Sequence, residues 1–191
     1  DHPCFGGALG LSAHPEIWSL ADEADCVLVV GARLDEPTTR GYKLWRDGRA
    51  RELLHVYPEA QDIGRNYAAD LGVRADIGET LAALATATLD GGDARAPWCA
   101  RVNAAWRAST TPPRVEGGLD PGEVMESLNR VLPADAIVTV DAGNFTVWPQ
   151  RYRRYRRPGR LLAPINGAMG WGVPAAIAAS LAEPHRRVVG C

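Results

Sequence analysis

The chain has 191 residues, 46% hydrophobic and 23% charged, with a formal net charge of −2. That length can bury a substantial core in one or two domains, and the composition is ordinary for a globular protein. The near-neutral balance argues against a nucleic-acid partner, and no apolar run reaches the length of a membrane span.

Cys4, Cys26, Cys99 and Cys191 are scattered with no CxxC pair, and the His residues add no zinc pattern. Free thiols in a cytoplasmic protein are therefore expected, and no metal ligand is assigned. The N-terminus lacks a basic region followed by an apolar stretch, so no secretory signal is read. The first residues resemble a loop between elements, and Arg186–Cys191 resembles a strand just starting. A fragment of a longer protein is expected.

In chain order, Phe5–Leu11 is a glycine-rich turn. Ile17, Leu20, Ala21 and Ala24 have helical spacing, which predicts a helix over 15–24 with Ser12 as its cap. Cys26–Val30 (CVLVV) is a continuous apolar run, as in a parallel strand covered on both faces. Gly31–Asp35 follows it, where ligands gather in open α/β sheets; an ordinary surface loop fits the same residues. Glu52–Tyr57 reads as a second strand, and Pro58 opens a short helical turn. Leu71–Ala75 is a weaker third strand. Asp76 then caps a helix to Leu89, with Glu79 three residues on and a stripe at Leu81, Leu84 and Leu89. The stretch 91–118 has glycine and proline breaks at both ends and reads as a connector, with one helix over Trp98–Ser109.

A second unit begins at Leu119. Asp120 caps a helix with Pro121 at its first position and a stripe at Val124, Leu128, Val131 and Leu132. Ala136–Val140 is a buried-type strand that runs into Asp141-Ala142-Gly143-Asn144, and a helix follows from about Phe145. Strand, glycine turn and helix is a layout that presents backbone N–H groups to phosphate. Neither GxGxxG nor GxxxxGK[ST] occurs. Arg151–Arg160 holds six Arg and two Tyr and reads as a solvated helix end; it could also face a charged substrate or another subunit. Leu161–Ser180 (LLAPINGAMGWGVPAAIAAS) is a strand end, a glycine loop and an Ala-rich helix that must pack closely. By itself this loop is equally a tight turn or a cofactor loop.

The fold class is α/β: partial doubly wound parallel sheets in two units, 1–90 and 119–191, joined by the linker 91–118.

Three stretches of the second unit, Asp141–Trp148, Ala163–Ser180 and Glu183–Cys191, resemble the diphosphate-binding domain of thiamine-diphosphate enzymes of the acetolactate synthase type. The first unit resembles the second half of that family's central domain, through GGALG, VVGARLDEPTTRG and ADIGETL. The resemblance implies a thiamine-diphosphate-dependent enzyme that decarboxylates 2-oxo acids and joins the remainder to an acceptor, working as a homodimer or homotetramer. It implies that Gly167, Ala168, Met169 and Gly170 grip the pyrimidine ring. The Gly167 carbonyl and Met169 backbone would hydrogen-bond the ring, and the Met169 side chain would wedge the cofactor bent. Gly143, Asn144 and Phe145 would contact the diphosphate, although many acetolactate synthases have Gln-His where this chain has Asn144-Phe145.

The resemblance places the Mg²⁺ ligands beyond residue 191 and the activating glutamate outside this chain. No catalytic residue is assigned, and the chain alone is expected to be inactive. It further implies a FAD contact at Gly31, Ala32, Arg33, Asp35 and Asp76, although Tyr57 stands before Pro58 where the family usually has an acid for ribose hydroxyls. A related decarboxylase or acyltransferase fits the same residues, as does a non-catalytic α/β nucleotide-binding or interaction module.

Overall fold

The computed structural model describes residues 2–88, 92–156 and 159–191. It divides into two units, Asp1–Ala108 and Ser109–Cys191, each built on its own three-stranded parallel sheet. Leu89, the ends of the segments 1–90 and 91–118 at that junction, and Arg157 of the basic run lie outside the described residues.

In the first unit the β-branched run Cys26–Val30 forms β1, Glu52–Tyr57 forms β2 and Leu71–Arg74 forms β3, in the order β1-β2-β3. Leu28 pairs with Leu54, and Val56 with Val73. Val29, Leu53, Leu34 and Tyr67 make the core on one face. The expectation that 26–30 is covered on both faces does not hold within the described residues: Leu28 is 48% exposed. The other face of β1 is left open, and β3 is exposed throughout as an edge strand.

Helix α1, Pro15–Asp22, buries Ile17, Trp18 and Leu20. Its cap is His14, whose Nδ1 accepts from the Glu16 N–H at 3.3 Å. Ser12 is not the cap, because Pro15 at the first turn places the capping position immediately before it. Helix α2, Ile77–Thr86, is capped by Asp76 as expected, through the Glu79 N–H at 3.0 Å. Its stripe residues Leu81 and Leu84 remain exposed. Helix α3, Gly92–Ser109, packs on α1 through Val102, Ala105 and Trp106. Arg101 donates to both Glu23 carboxylate oxygens at 3.0 Å, and Asn103 donates to the Phe5 carbonyl at 2.8 Å. The helix inside the expected connector is thus folded onto the first unit.

In the second unit α4, Pro121–Val131, is capped by Asp120, which accepts from the Gly122 N–H at 2.8 Å. Its buried apolar anchor is Met125, while Val131 of the expected stripe points to solvent. Strand β4, Ile137–Thr139, is completely buried. It sits between β5, Arg160–Leu162, and β6, Val188–Gly190, in the order β5-β4-β6. Helix α5, Val147–Tyr152, follows a short 3₁₀ turn at Asn144–Thr146. Helix α6, Gly172–Ala182, follows the glycine loop. The basic run is not simply a solvated helix end, because Arg153 is buried. No described helix is long and apolar enough to cross a membrane.

Candidate functional site

A parallel sheet in which β5 and β6 flank β4 sends the loops after β4 and β5 out from the same strand ends. Thr139 pairs with Leu162 on one side and with Gly190 on the other. The segments Gly143–Phe145 and Gly167–Gly170 therefore rise from neighbouring strands at the carboxyl edge, where the strand order reverses.

Asp141 ties the two loops together. Its Oδ2 accepts from the Gly170 N–H at 2.9 Å, and its Oδ1 accepts from Ala142 at 2.7 Å and Trp171 at 3.4 Å. Trp171, the residue before α6, offers no side-chain cap, so Asp141 satisfies these N–H groups from across the sheet. The Ala142 N–H, joined by those of Gly172, Trp171 and Gly170, holds the Asp141 carboxyl below the usual carboxylate range. Nothing in the local sequence marks this acid, because its partners other than Ala142 lie about thirty residues downstream. The only signal is an acid immediately after a buried strand.

Three glycines are required, one by space and two by conformation. At Gly172 a Cβ would lie 2.9 Å from the Asp141 nitrogen and 3.2 Å from the Cys191 carbonyl oxygen, so α6 seats directly on the ends of β4 and β6. The Thr139 hydroxyl donates to the Gly172 carbonyl at 2.9 Å, fixing the same contact. Gly167 and Gly170 have φ of +67° and +82°, a region that disfavours side chains. A Cβ at either would meet nothing within 4 Å, so the surface above the loop is open. The loop is braced from below, since Asn166 Oδ1 accepts from the Ala168 N–H at 3.1 Å. Met169 is 84% exposed and is not part of the unit's own core. On the neighbouring loop Asn144 and Phe145 are exposed, and the Phe145 ring fills the place a Cβ on Gly143 would need, at 2.6 Å.

The second set, Gly31, Ala32, Arg33, Asp35 and Asp76, lies at the carboxyl ends of β1 and β3 in the first unit. Gly31, at φ +74°, packs against Ile77, the first residue of α2, which brings it beside the helix that Asp76 caps. The Ala32 carbonyl lies 2.8 Å from buried His55 Nε2, and Asn66 donates to the Arg33 carbonyl at 3.3 Å. Both carboxylates are engaged internally. Asp35 accepts from the Thr38 hydroxyl at 2.7 Å, and Asp76 caps α2. Among the described residues no group of three His, Cys, Asp or Glu side chains could hold a metal ion, and the four cysteines are free.

Two family models match the chain: the central domain of thiamine pyrophosphate enzymes over residues 1–84, and their C-terminal TPP binding domain over residues 141–191. The acetolactate synthase large subunit of Parasynechococcus marenigrum (strain WH8102) is 34% identical over 187 residues, covering 96% of this chain and 30% of that protein. A probable chloroplastic acetolactate synthase 2 of Oryza sativa subsp. japonica is 31% identical, covering 99% of this chain and 30% of the relative. The sulfoacetaldehyde acetyltransferase of Rhodobacter capsulatus is 29% identical, covering 100% and 36%. The chain thus spans about a third of the length of these relatives.

Proposed function

The chain belongs to the thiamine pyrophosphate enzymes, and we propose that it serves a thiamine-diphosphate-dependent enzyme that decarboxylates a 2-oxo acid and transfers the remainder to an acceptor, as an acetolactate synthase does. The observation that carries this reading is the open Gly167–Gly170 loop, held by Asp141, with Met169 standing 84% exposed above it. A flexible apolar side chain over left-handed glycines fits a flat heteroaromatic ring better than it fits water.

On this reading the Gly167 carbonyl and Met169 backbone bind the pyrimidine, Ala168 and Gly170 line its cradle, and the Met169 side chain sets its tilt. Gly143, Asn144 and Phe145 face the diphosphate with backbone N–H groups and one side-chain amide. When bound, the cofactor supplies a nucleophilic carbon that allows a 2-oxo acid to lose CO₂ and pass on its acyl unit. This chain's residues orient that group and exclude water from one side of it; no general acid or base is assigned among them. Mg²⁺ belongs to the reading through the diphosphate, and its ligands are assigned outside this chain.

The residues near β1 and β3 fit FAD less well. Asp35 and Asp76 are engaged as caps, and Tyr57 stands where an acid would meet ribose hydroxyls. A homo-oligomer in the cytoplasm completes the reading, supported by the apolar face of α6, where Val173, Ile177 and Leu181 are 68%, 58% and 78% exposed. An acyltransferase is the second reading, favoured by the sulfoacetaldehyde acetyltransferase among the relatives.

The test is Met169→Ala in the full-length protein. Cofactor-dependent turnover of a 2-oxo acid falls at least about tenfold, a change of roughly 1.4 kcal/mol in the barrier, while the melting curve without cofactor is unchanged. Unaltered turnover refutes the assigned role of Met169, and a wild-type protein with no cofactor-dependent turnover refutes the enzyme reading.

A further inference from the structure

The second unit contains a cavity of about 490 Å³ at the amino ends of its strands, away from the glycine loops, lined by residues of α4, the segment before it and the turn after α5. Arg153, Arg154 and Arg156 all line it, with Glu126 as its one acid. The Glu126 carboxylate lies 3.8 Å from Arg114, so it is already shared with another cation.

Arg153 is the unusual member. It is 8% exposed, yet among the described residues no carboxylate pairs with it. Its Nη1 donates to Asn129 Oδ1 at 3.0 Å and its Nη2 to the Pro133 carbonyl at 3.3 Å, while its Nε is buried without a hydrogen-bond partner among the described residues. Its guanidinium lies 6.0 Å from the centre of the Tyr155 ring. Asn129 fixes this arrangement: it also accepts from the Arg154 N–H at 2.9 Å and donates to the Tyr152 carbonyl at 2.8 Å. A guanidinium taken from water with only neutral partners leaves a field that an anion would relieve. Two further guanidinia beside it raise the local charge beyond what one carboxylate would need. Planar forks of this kind match phosphate oxygens in pairs. Met125 and Leu132 add an apolar wall, and the volume suits a small molecule larger than a free ion.

We propose that this cavity binds a phosphate-bearing small molecule, its anionic end held by Arg154 and Arg156 beside the fixed charge of Arg153 and its uncharged part against Met125 and Leu132. This site stands independently of the cofactor reading, because it uses neither glycine loop.

The test is calorimetric titration of the full-length protein with inorganic pyrophosphate in Mg²⁺-free buffer. The wild-type protein binds, and its affinity falls as salt is added. Arg154→Gln/Arg156→Gln weakens binding about tenfold or more, roughly 1.4 kcal/mol or more. Arg154→Glu abolishes it, and Arg130→Gln, an exposed cation outside the cavity lining, leaves it unchanged. Because the Arg154 and Arg156 residues are exposed, circular dichroism melts of these variants match wild type. No binding to wild type, or binding that the Arg substitutions leave as tight as in wild type, overturns the proposal. So does binding that Asn144→Ala removes, which would place the probe at the glycine loops instead.

Discussion

Replacing Gly172 with Ala adds one methyl group at the point where α6 meets the sheet. That Cβ would lie 2.9 Å from the Asp141 nitrogen, 3.1 Å from the Asp141 Cβ and 3.2 Å from the Cys191 carbonyl oxygen. Two of those atoms are backbone of neighbouring strand ends, so the relief is to move the helix. Overpacking of this kind costs about 1–3 kcal/mol. Moving the helix also weakens the bond from the Thr139 hydroxyl to the Gly172 carbonyl, worth about 1 kcal/mol. Against this, Ala is favoured over Gly in a helix by at most about 1 kcal/mol. The net destabilisation is about 1–3 kcal/mol, which for a unit of this size lowers its melting temperature by roughly 5–20 °C. Urea and thermal melts followed by circular dichroism measure it, with Val131→Ala, 67% exposed on α4, as a control that stays within about 0.5 kcal/mol. A Gly172→Ala protein as stable as that control refutes the seating of α6 on β4 and β6.

Asp141→Asn tests the tie between the loops. The wild-type carboxyl sits below its ordinary value, so its contribution is complete above about pH 4 and is lost as pH falls through the folded value. The substitution removes that part of the acid transition, so melting temperature against pH becomes flatter on the acid side; an identical profile contradicts the capping role. Asp76→Ala removes the α2 cap and costs about 1 kcal/mol in urea melts of the first unit; no change means that Asp76 does not cap α2 in solution.

Much of the architecture is legible in the residues. Cys26–Val30 and Glu52–Tyr57 become strands with those bounds, because short, mostly apolar runs suit a buried strand. Asp76 and Asp120 cap the helices they precede, since a cap acts within three residues of itself. Asp141 was not legible as an organiser, because Gly170 and Trp171 become its neighbours only once β4 and β5 pair. The burial of Arg153 was hidden for the same reason: it depends on Asn129, twenty-four residues earlier. The stripes on α2 and α4 failed in part, at Leu81, Leu84 and Val131, because periodicity states which face is apolar and not what covers it. For α4 the covered position fell to Met125 instead.

The exposed face of α6 gives its stability a dependence on its surroundings. The same helix carries the Gly167–Gly170 loop at its amino end, and its seat on the sheet rests on Gly172 and Ala179 alone among its buried residues. Any surface that covers Val173, Ile177 and Leu181 binds the seated helix and not the unfolded one. By mass action it stabilises the seated state by RT ln(1 + [L]/Kd), about 2.7 kcal/mol at a hundredfold excess over Kd. Where the cover is a second molecule, the order of the glycine loop follows its concentration and dilution loosens it; where the cover belongs to the same polypeptide, dilution leaves the loop as it is.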